Sequence, residues 1–319
     1  MALGEFGDWK VLALAGGVGG AKLAHGLAGI LPPGNLTVAV NVADDFELYG
    51  LTICPDLDTV MYTLAGIASA GTGWGIQGDT FQCVGELARL DAPAWFRLGD
   101  RDLATHLART RRLWDGESLT QVTRHLSESL GVRQTILPCT DDLLRTIVET
   151  DEGDLEFQEY FVRRKCEPAV KGFSLRGAEA ALPTREFLAA LEEADAVILC
   201  PSNPFVSLGP ILALPGVREK VAARNSIAVT PIIGGRAVKG PLAKIFRELG
   251  RDSSALEAAR EYQGLLRGFL LDREDSSLAA EIEALGMRVQ IADTLMRDEN
   301  GRRVLAGKVL EFARTVRAG

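Results

Sequence analysis

The run Trp9-Lys10-Val11-Leu12-Ala13-Leu14-Ala15 breaks off into Gly16-Gly17-Val18-Gly19-Gly20-Ala21-Lys22, and this junction limits the fold more than any other stretch of the chain. A short apolar run bounded by glycines reads as a buried strand, and the residues from Ala21 to Ile30 read as the helix that follows. Leu36 to Val40 is a second apolar strand, so the opening is βαβ, with a right-handed crossover and a parallel sheet expected. Glycines let the backbone approach a phosphate closely, and a helix N-terminus behind them aims amides and positive dipole at it. The spacing matches neither GxGxxG nor the P-loop, because Lys22 is followed by Leu23. A tight strand-to-helix turn uses glycine anyway, so phosphate binding needs a second signal.

That signal lies in Asn41 to Val60, NVADDFELYGLTICPDLDTV. Asp44 and Asp45 follow the second strand, and Asp56 and Asp58 follow Pro55. Carboxylates at the C-terminal end of a parallel strand sit where ligands bind, and two converging pairs would hold a hard cation such as Mg²⁺ against phosphate oxygens. The same residues also serve as turn formers, with Asp56 or Asp58 capping a helix near Thr59.

Downstream, Gly71 to Phe81 is a turn-rich loop whose Trp74 either plugs a core edge or walls a flat ligand. Thr80 to Leu90 reads as a helix. Trp95 to His106 is a charged loop and helix start, with Asp102 a candidate cap and His106 either a satisfied helix residue or a base. Leu113 to Leu130 reads as helical, with Ser118 a plausible N-cap and Gly131 a C-terminal stop. Arg145 to Glu149 and Leu155 to Val162 alternate like a hairpin around Asp151-Glu152-Gly153-Asp154. The αβ alternation then returns: Ala196 to Cys200 leads into Pro201-Ser202-Asn203-Pro204, and Ile227 to Thr230 into Pro231-Ile232-Ile233-Gly234-Gly235-Arg236. Such strand ends assemble nucleotide pockets, although ordinary αβ punctuation uses the same residues. The expected fold is α/β, a doubly wound, mostly parallel Rossmann-like sheet. Its core spans 1–135 and 183–319, and a smaller α+β insertion or second lobe spans 136–182.

Composition narrows the function classes. Lys and Arg number 35 against 43 Asp and Glu, giving −8, and no basic run exceeds Arg163-Arg164-Lys165, which argues against a nucleic-acid partner. Five single cysteines without a CxxC indicate neither a disulfide framework nor a zinc site. No apolar run reaches membrane-spanning length, and Glu5 and Asp8 precede the first strand without a basic, apolar leader, so a cytoplasmic protein is expected.

Seven segments together carry a resemblance: GGVGGAK at Gly16, NVADD at Asn41, CPDLDT at Cys54, LGDRDLATH at Leu98, PSNP at Pro201, TPIIGG at Thr230 and DTLM at Asp293. In this order the chain resembles the 2-phospho-L-lactate transferase family, CofD in archaea and FbiA in actinobacteria. The resemblance implies a transferase of coenzyme F-420 biosynthesis, Mg²⁺-dependent and homodimeric. It would move a phosphorylated three-carbon acid (2-phospholactate, phosphoenolpyruvate or 3-phosphoglycerate) from its guanosine diphosphate derivative, such as lactyl-2-diphospho-5'-guanosine, to the deazaflavin alcohol Fo, releasing GMP. It implies metal ligation at Asp44 and Asp56, and Fo contacts at Asp58 and Arg97. Nucleotide and phosphate contacts would fall at Gly16, Gly17, Gly19, Gly20, Lys22, Ser202 and Asn203, with Asp45 or Asp58 accepting the hydroxyl proton. Thr230 stands where the family commonly has serine and keeps the hydroxyl. A sister family of the same fold, the YvcK-type nucleotide-sugar-binding regulators, shares the glycine start and acidic pair. Its acidic pair is typically followed by glycine and serine, whereas Phe46-Glu47-Leu48-Tyr49-Gly50 follows here. An NAD-dependent dehydrogenase is disfavoured by the absent GxGxxG spacing.

Overall fold

The computed structural model of the chain describes residues 6–317. It opens with β1 (Val11–Ala15), α1 (Gly17–Ala28) and β2 (Leu36–Val40), and a small antiparallel hairpin, β3 (Phe46–Leu48) and β4 (Leu51–Ile53), leads into α2 (Pro55–Leu64). Helices α3 (Gln82–Arg89), α4 (Asp100–Trp114) and α5 (Leu119–Ser129) precede β5 (Thr135–Pro138). Next come β6 (Arg145–Thr150), β7 (Gly153–Glu156) and β8 (Val170–Arg176), a separate antiparallel sheet in the order β7-β6-β8. The alternation resumes with α6 (Arg185–Glu193), β9 (Ala196–Leu199), α7 (Gly209–Ala213), α8 (Val217–Ala222) and β10 (Ser226–Val229). The two-residue strands β11 (Ile232–Ile233) and β12 (Arg236–Ala237) pair as a ribbon, and α9 (Leu242–Glu248) and α10 (Ala255–Arg260) follow. The chain finishes with β13 (Gly268–Asp272), α11 (Ala279–Glu283), β14 (Arg288–Ala292) and α12 (Glu299–Arg317).

Seven strands form the expected parallel sheet, ordered β14-β13-β10-β9-β1-β2-β5. Strands β1, β9, β10 and β13 are buried at every residue, as strands covered on both faces must be. The order runs outward from β1 in both directions, so the winding reverses between β1 and β9. In an open parallel sheet this reversal leaves a crevice beyond the carboxyl ends of the two strands. Among the described residues no helix is long and apolar enough to cross a membrane.

Local details differ from the sequence reading. Helix α1 starts at Gly17, not Ala21: Gly17 alone makes the turn at a left-handed φ of 62°, and Val18 to Gly20 are already helical. Asp56 and Asp58 lie inside the first turn of α2, whose N-cap is Cys54. The helical stretch expected over 113–130 is interrupted at Gly116 (φ 92°), and Ser118 is the expected N-cap, forming a capping box with Gln121 that starts α5. The strand expected over 155–162 stops at Glu156. Phe157 and Tyr160, three residues apart, then turn one face of a helical segment into the core. Residues 136–138 belong to the edge of the large sheet, where β5 pairs with β2. The small sheet is anchored to the rest through Val148, Phe157, Tyr160 and Val170 packing with Val206 and Ile245.

Candidate functional site

A cleft of about 580 Å³ opens where β1 and β9 part. Ser202 bolts the two strand ends together: its hydroxyl donates to the Gly16 carbonyl (2.8 Å) and accepts from the Gly16 amide (3.1 Å). The Gly17 amide donates to Asp56 Oδ1 (2.7 Å), and Asn41 Nδ2 donates to Asp56 Oδ2 (3.0 Å) and to the Val206 carbonyl (3.2 Å). Asn41 Oδ1 in turn accepts from the Ala43 amide (3.0 Å), which fixes the turn that presents Asp44. The N-cap Gly16 has no capping side chain and Asp56 takes only the Gly17 amide, so the next first-turn amides, of Val18 and Gly19, have no intrahelical acceptor.

The acidic group is buried and electrostatically strained. Asp44 and Asp56 are 5% and 6% exposed and both line the cleft. Burial, and then the Asp56 charge, push the Asp44 carboxyl well above its ordinary range. Burial lifts Asp56 to about 6, although the Asn41 and Gly17 hydrogen bonds pull it down. Asp44 Oδ1 is buried without a hydrogen-bond partner. Two adjacent carboxylates that resist ionising together and keep an orphaned oxygen suit a hard divalent cation, which would supply the missing charge. Asp45, lifted to about 7 by burial, is not on the cleft surface; its amide donates to the Val42 carbonyl (3.1 Å), which closes the turn.

A second buried network was not foreseen. Arg109, 1% exposed, grips Asp58 with both terminal nitrogens, Nη1 to Oδ2 at 3.1 Å and Nη2 to Oδ1. Burial disfavours the guanidinium charge, yet Asp58 holds it firmly protonated. Arg109 Nη1 also donates to His106 Nδ1 (3.1 Å), so the ring proton lies on Nε2, facing Asp102 Oδ1 at 3.3 Å. Tyr62 donates its hydroxyl to the same Asp102 oxygen (2.7 Å). Burial alone would raise the Asp102 carboxyl, but His106 and the Tyr62 hydrogen bond outweigh it and leave it lowered. Asp58, Asp102 and His106 come within 4.8 Å as a metal-ligand type cluster, but the Arg109 guanidinium already provides the positive charge there. Asp58 has both oxygens held by Arg109, and each retains a lone pair for accepting a further hydrogen bond. His106 is thus held at Nδ1 by Arg109, while its buried Nε2 faces Asp102 without a well-formed hydrogen bond, and Asp102 lies within α4, whose N-cap is Gly99. The signal for this network was the spacing of Asp102, His106 and Arg109, polar residues on the buried stripe of a helix whose Leu107 and Trp114 face solvent.

The other expected residues separate into cleft and scaffold. Gly16, Gly17, Gly19, Lys22, Ser202 and Asn203 line the cleft, and Gly20 does not. A Cβ at Gly20 would meet Ser202 Oγ at 2.6 Å, so that glycine serves close packing of α1. Asn203 Oδ1 accepts from the amides of Phe205 (2.9 Å) and Val206 (3.4 Å), capping the turn after β9. Lys22 donates to the Met296 carbonyl (3.3 Å), and burial, Arg302 and Lys239 lower its pKa. The DTLM segment is held against the cleft by Asp272, which accepts from the Thr294 amide (2.8 Å) and hydroxyl (2.7 Å). Arg97 is exposed, with its guanidinium 4.2 Å from the centre of the Phe81 ring. With Trp74, Trp95 and Phe96 it forms an aromatic wall, so Trp74 faces the cleft and does not plug the core. The small sheet contributes a second wall through Phe157, Gln158 and Phe161, none of which had been singled out.

The family model described as 2-phospho-L-lactate transferase CofD matches residues 11–310. The chain is 41% identical over 317 residues to the phosphoenolpyruvate transferase of Streptomyces griseus, covering 97% of this chain and 100% of that protein. It is 40% identical over 306 residues to the 2-phospho-L-lactate transferase of Methanosarcina acetivorans, covering 96% and 100%. In fold it is similar to protein BH3568 of Bacillus halodurans, with a TM-score of 0.62, 17% identity and coverage of 95% and 99%. A second structure of that protein, described as a member of the UPF0052 family, gives a TM-score of 0.64 at 16% identity.

Proposed function

The chain belongs to the 2-phospho-L-lactate transferase family and is a transferase of that kind, and from this premise we propose the reaction in full. A phosphorylated three-carbon acid, as 2-phospholactate, phosphoenolpyruvate or 3-phosphoglycerate, moves from its guanosine diphosphate derivative to the primary hydroxyl of 7,8-didemethyl-8-hydroxy-5-deazariboflavin (Fo). The hydroxyl oxygen bonds to the phosphorus bearing the acid, the bond to GMP breaks, and GMP leaves, yielding the core of coenzyme F-420.

The observation that carries this reading is the buried, mutually repelling pair Asp44 and Asp56 beside the glycine turn at the sheet's switch point. Mg²⁺ held by Asp44 and Asp56 would neutralise phosphate charge and polarise the phosphoryl oxygens. The first-turn amides of Val18 and Gly19 add donors for the same oxygens, and Lys22 stands on the cleft to meet the diphosphate. Trp74, Trp95 and Arg97 receive the flat deazaflavin. Asp58, immobilised by Arg109, accepts a hydrogen bond from the ribityl chain and orients the attacking hydroxyl. Positioning and charge neutralisation then supply most of the rate in such a transfer, and no covalent enzyme intermediate is required. The protein works in the cytoplasm as a homodimer.

Asp44→Asn and Asp56→Asn are each expected to abolish transfer while the protein keeps its thermal transition. Near-normal turnover of both at saturating Mg²⁺ would remove the metal assignment. GDP is expected to raise the melting temperature by mass action more than a UDP-sugar does. The reverse order would favour a nucleotide-sugar-binding regulator of the same fold.

A further inference from the structure

Gln158 and Phe161 have no part in the reaction as derived so far. Gln158 is only 7% exposed and lines the cleft, yet its side-chain amide has no hydrogen-bond partner among the described residues. The amide therefore meets the cleft with its donor and acceptor uncommitted. Beside it, Phe157 and Phe161 stack with ring centres 5.4 Å apart and planes 11° from parallel. Phe157 is buried and backs the pair, while Phe161 is 37% exposed and on the cleft surface. Phe161 sits in a π-helical turn, Glu159–Arg163, that follows directly on Phe157 and Gln158 and leaves through Lys165 (φ 49°) and Cys166 (φ 58°), two non-glycine residues in the left-handed region. Turns of this kind are rare and concentrate at functional sites, where burial elsewhere offsets the strain. Here the offset is the packing of Phe157 and Tyr160 against Val206 and Ile245.

We infer that Gln158 and Phe161 form a heterocycle subsite, in which a flat ring stacks on Phe161 and presents a lactam edge, an N–H beside a C=O, to the Gln158 amide. A glutamine amide offers an acceptor and a donor side by side, the complement of that edge. This inference rests on the proposed reaction, whose two substrates both carry a lactam: the guanine of the donor and the pyrimidinedione of Fo. Trp95 and Phe96 of the other wall pack on a different apolar cluster, built on Phe46 and Ile53. With the deazaflavin on that wall, guanine falls to Gln158.

The test is direct binding of GDP and of Fo, by calorimetry on the full chain, for wild type, Gln158→Ala and Phe161→Leu. Both substitutions are expected to weaken GDP about tenfold or more, the scale of a lost bidentate pair or stacking face, and to leave Fo within about twofold. Inosine diphosphate, which keeps the lactam and lacks the 2-amino group, is expected to show the same loss in Gln158→Ala. Selective loss of Fo in both variants would keep the lactam subsite and assign it to the acceptor. Unchanged affinities, different ligands affected by the two variants, or equal weakening of both ligands with a lowered melting temperature would overturn it. Wild-type protein that binds neither GDP nor Fo would overturn the proposed reaction and this subsite together, whereas normal wild-type binding with unaffected variants would remove the subsite alone.

Discussion

Arg109→Met removes the guanidinium that neutralises Asp58 in the interior and leaves that carboxylate buried without its partner. Both side chains of the pair are almost fully enclosed, at 2% and 7% exposure, so water cannot substitute for the lost contact. Breaking a buried pair from one side costs about 3–5 kcal/mol. Unfolding entropy of about 2.1 cal/mol/K per residue over 319 residues amounts to roughly 0.7 kcal/mol per degree. The expected fall in melting temperature is therefore about 4–7 °C. Replacing both partners, as Asp58→Leu with Arg109→Met, removes the stranded charge as well and is expected to recover most of that loss. Thermal unfolding of the wild type, both single variants and the double variant closes the cycle. A shift below about 1 °C for Arg109→Met, or a double variant destabilised by the sum of the singles, would refute the claim that this pair is a coupled buried unit.

Three further outcomes follow from the cleft. Asp56 and Asp45 are lifted to about 6 and about 7 from an ordinary 3.8, so the folded protein holds protons that the unfolded chain has released. Their contribution to stability is full below about pH 4 and is lost as pH rises through 6 to 7. Mg²⁺ at Asp44 and Asp56 would displace the Asp56 proton, so its stabilising effect in scanning fluorimetry is expected to be larger at pH 8 than at pH 5.5, and equal shifts at both would count against carboxylate ligation. Gly17→Val, at a left-handed φ of 62°, is expected to abolish binding of both GDP and GMP; retained calorimetric affinity would show that the glycine turn does not approach the phosphates. Arg97→Ala, at an exposed position, is expected to weaken Fo more than GDP without lowering the melting temperature, and equal weakening of both ligands would point to a fold effect.

The sheet was legible because β1, β2, β9, β10 and β13 are continuous apolar runs, the pattern that burial on both faces requires. That Asp44 and Asp56 both reach the cleft was legible only in part, since the local sequence offers four carboxylates and the family resemblance is what singles out these two. Roles set by distant partners were not. Asp58 and Arg109 are 51 residues apart and Gly16 and Ser202 are 186 apart, so the sequence shows a candidate base and a candidate phosphate ligand where the fold has a clamped carboxylate and a bolt between strands. The placement of Asp45 off the cleft depends on a turn whose register is set by Asn41, and the second cleft wall depends on how the small sheet docks. Neither leaves a periodic trace in the chain.

The central claim is that this cleft couples a guanosine diphosphate-linked acid to Fo, and mass spectrometry of the reaction mixture tests it most directly. With Fo, Mg²⁺ and each of the three donor candidates in turn, the account predicts, for at least one donor, GMP and a product whose mass equals Fo plus the phosphorylated acid less one water, in equal amounts. No such product from Asp56→Asn is expected. Fo recovered unchanged with every donor, under conditions where the protein binds GDP, would contradict it.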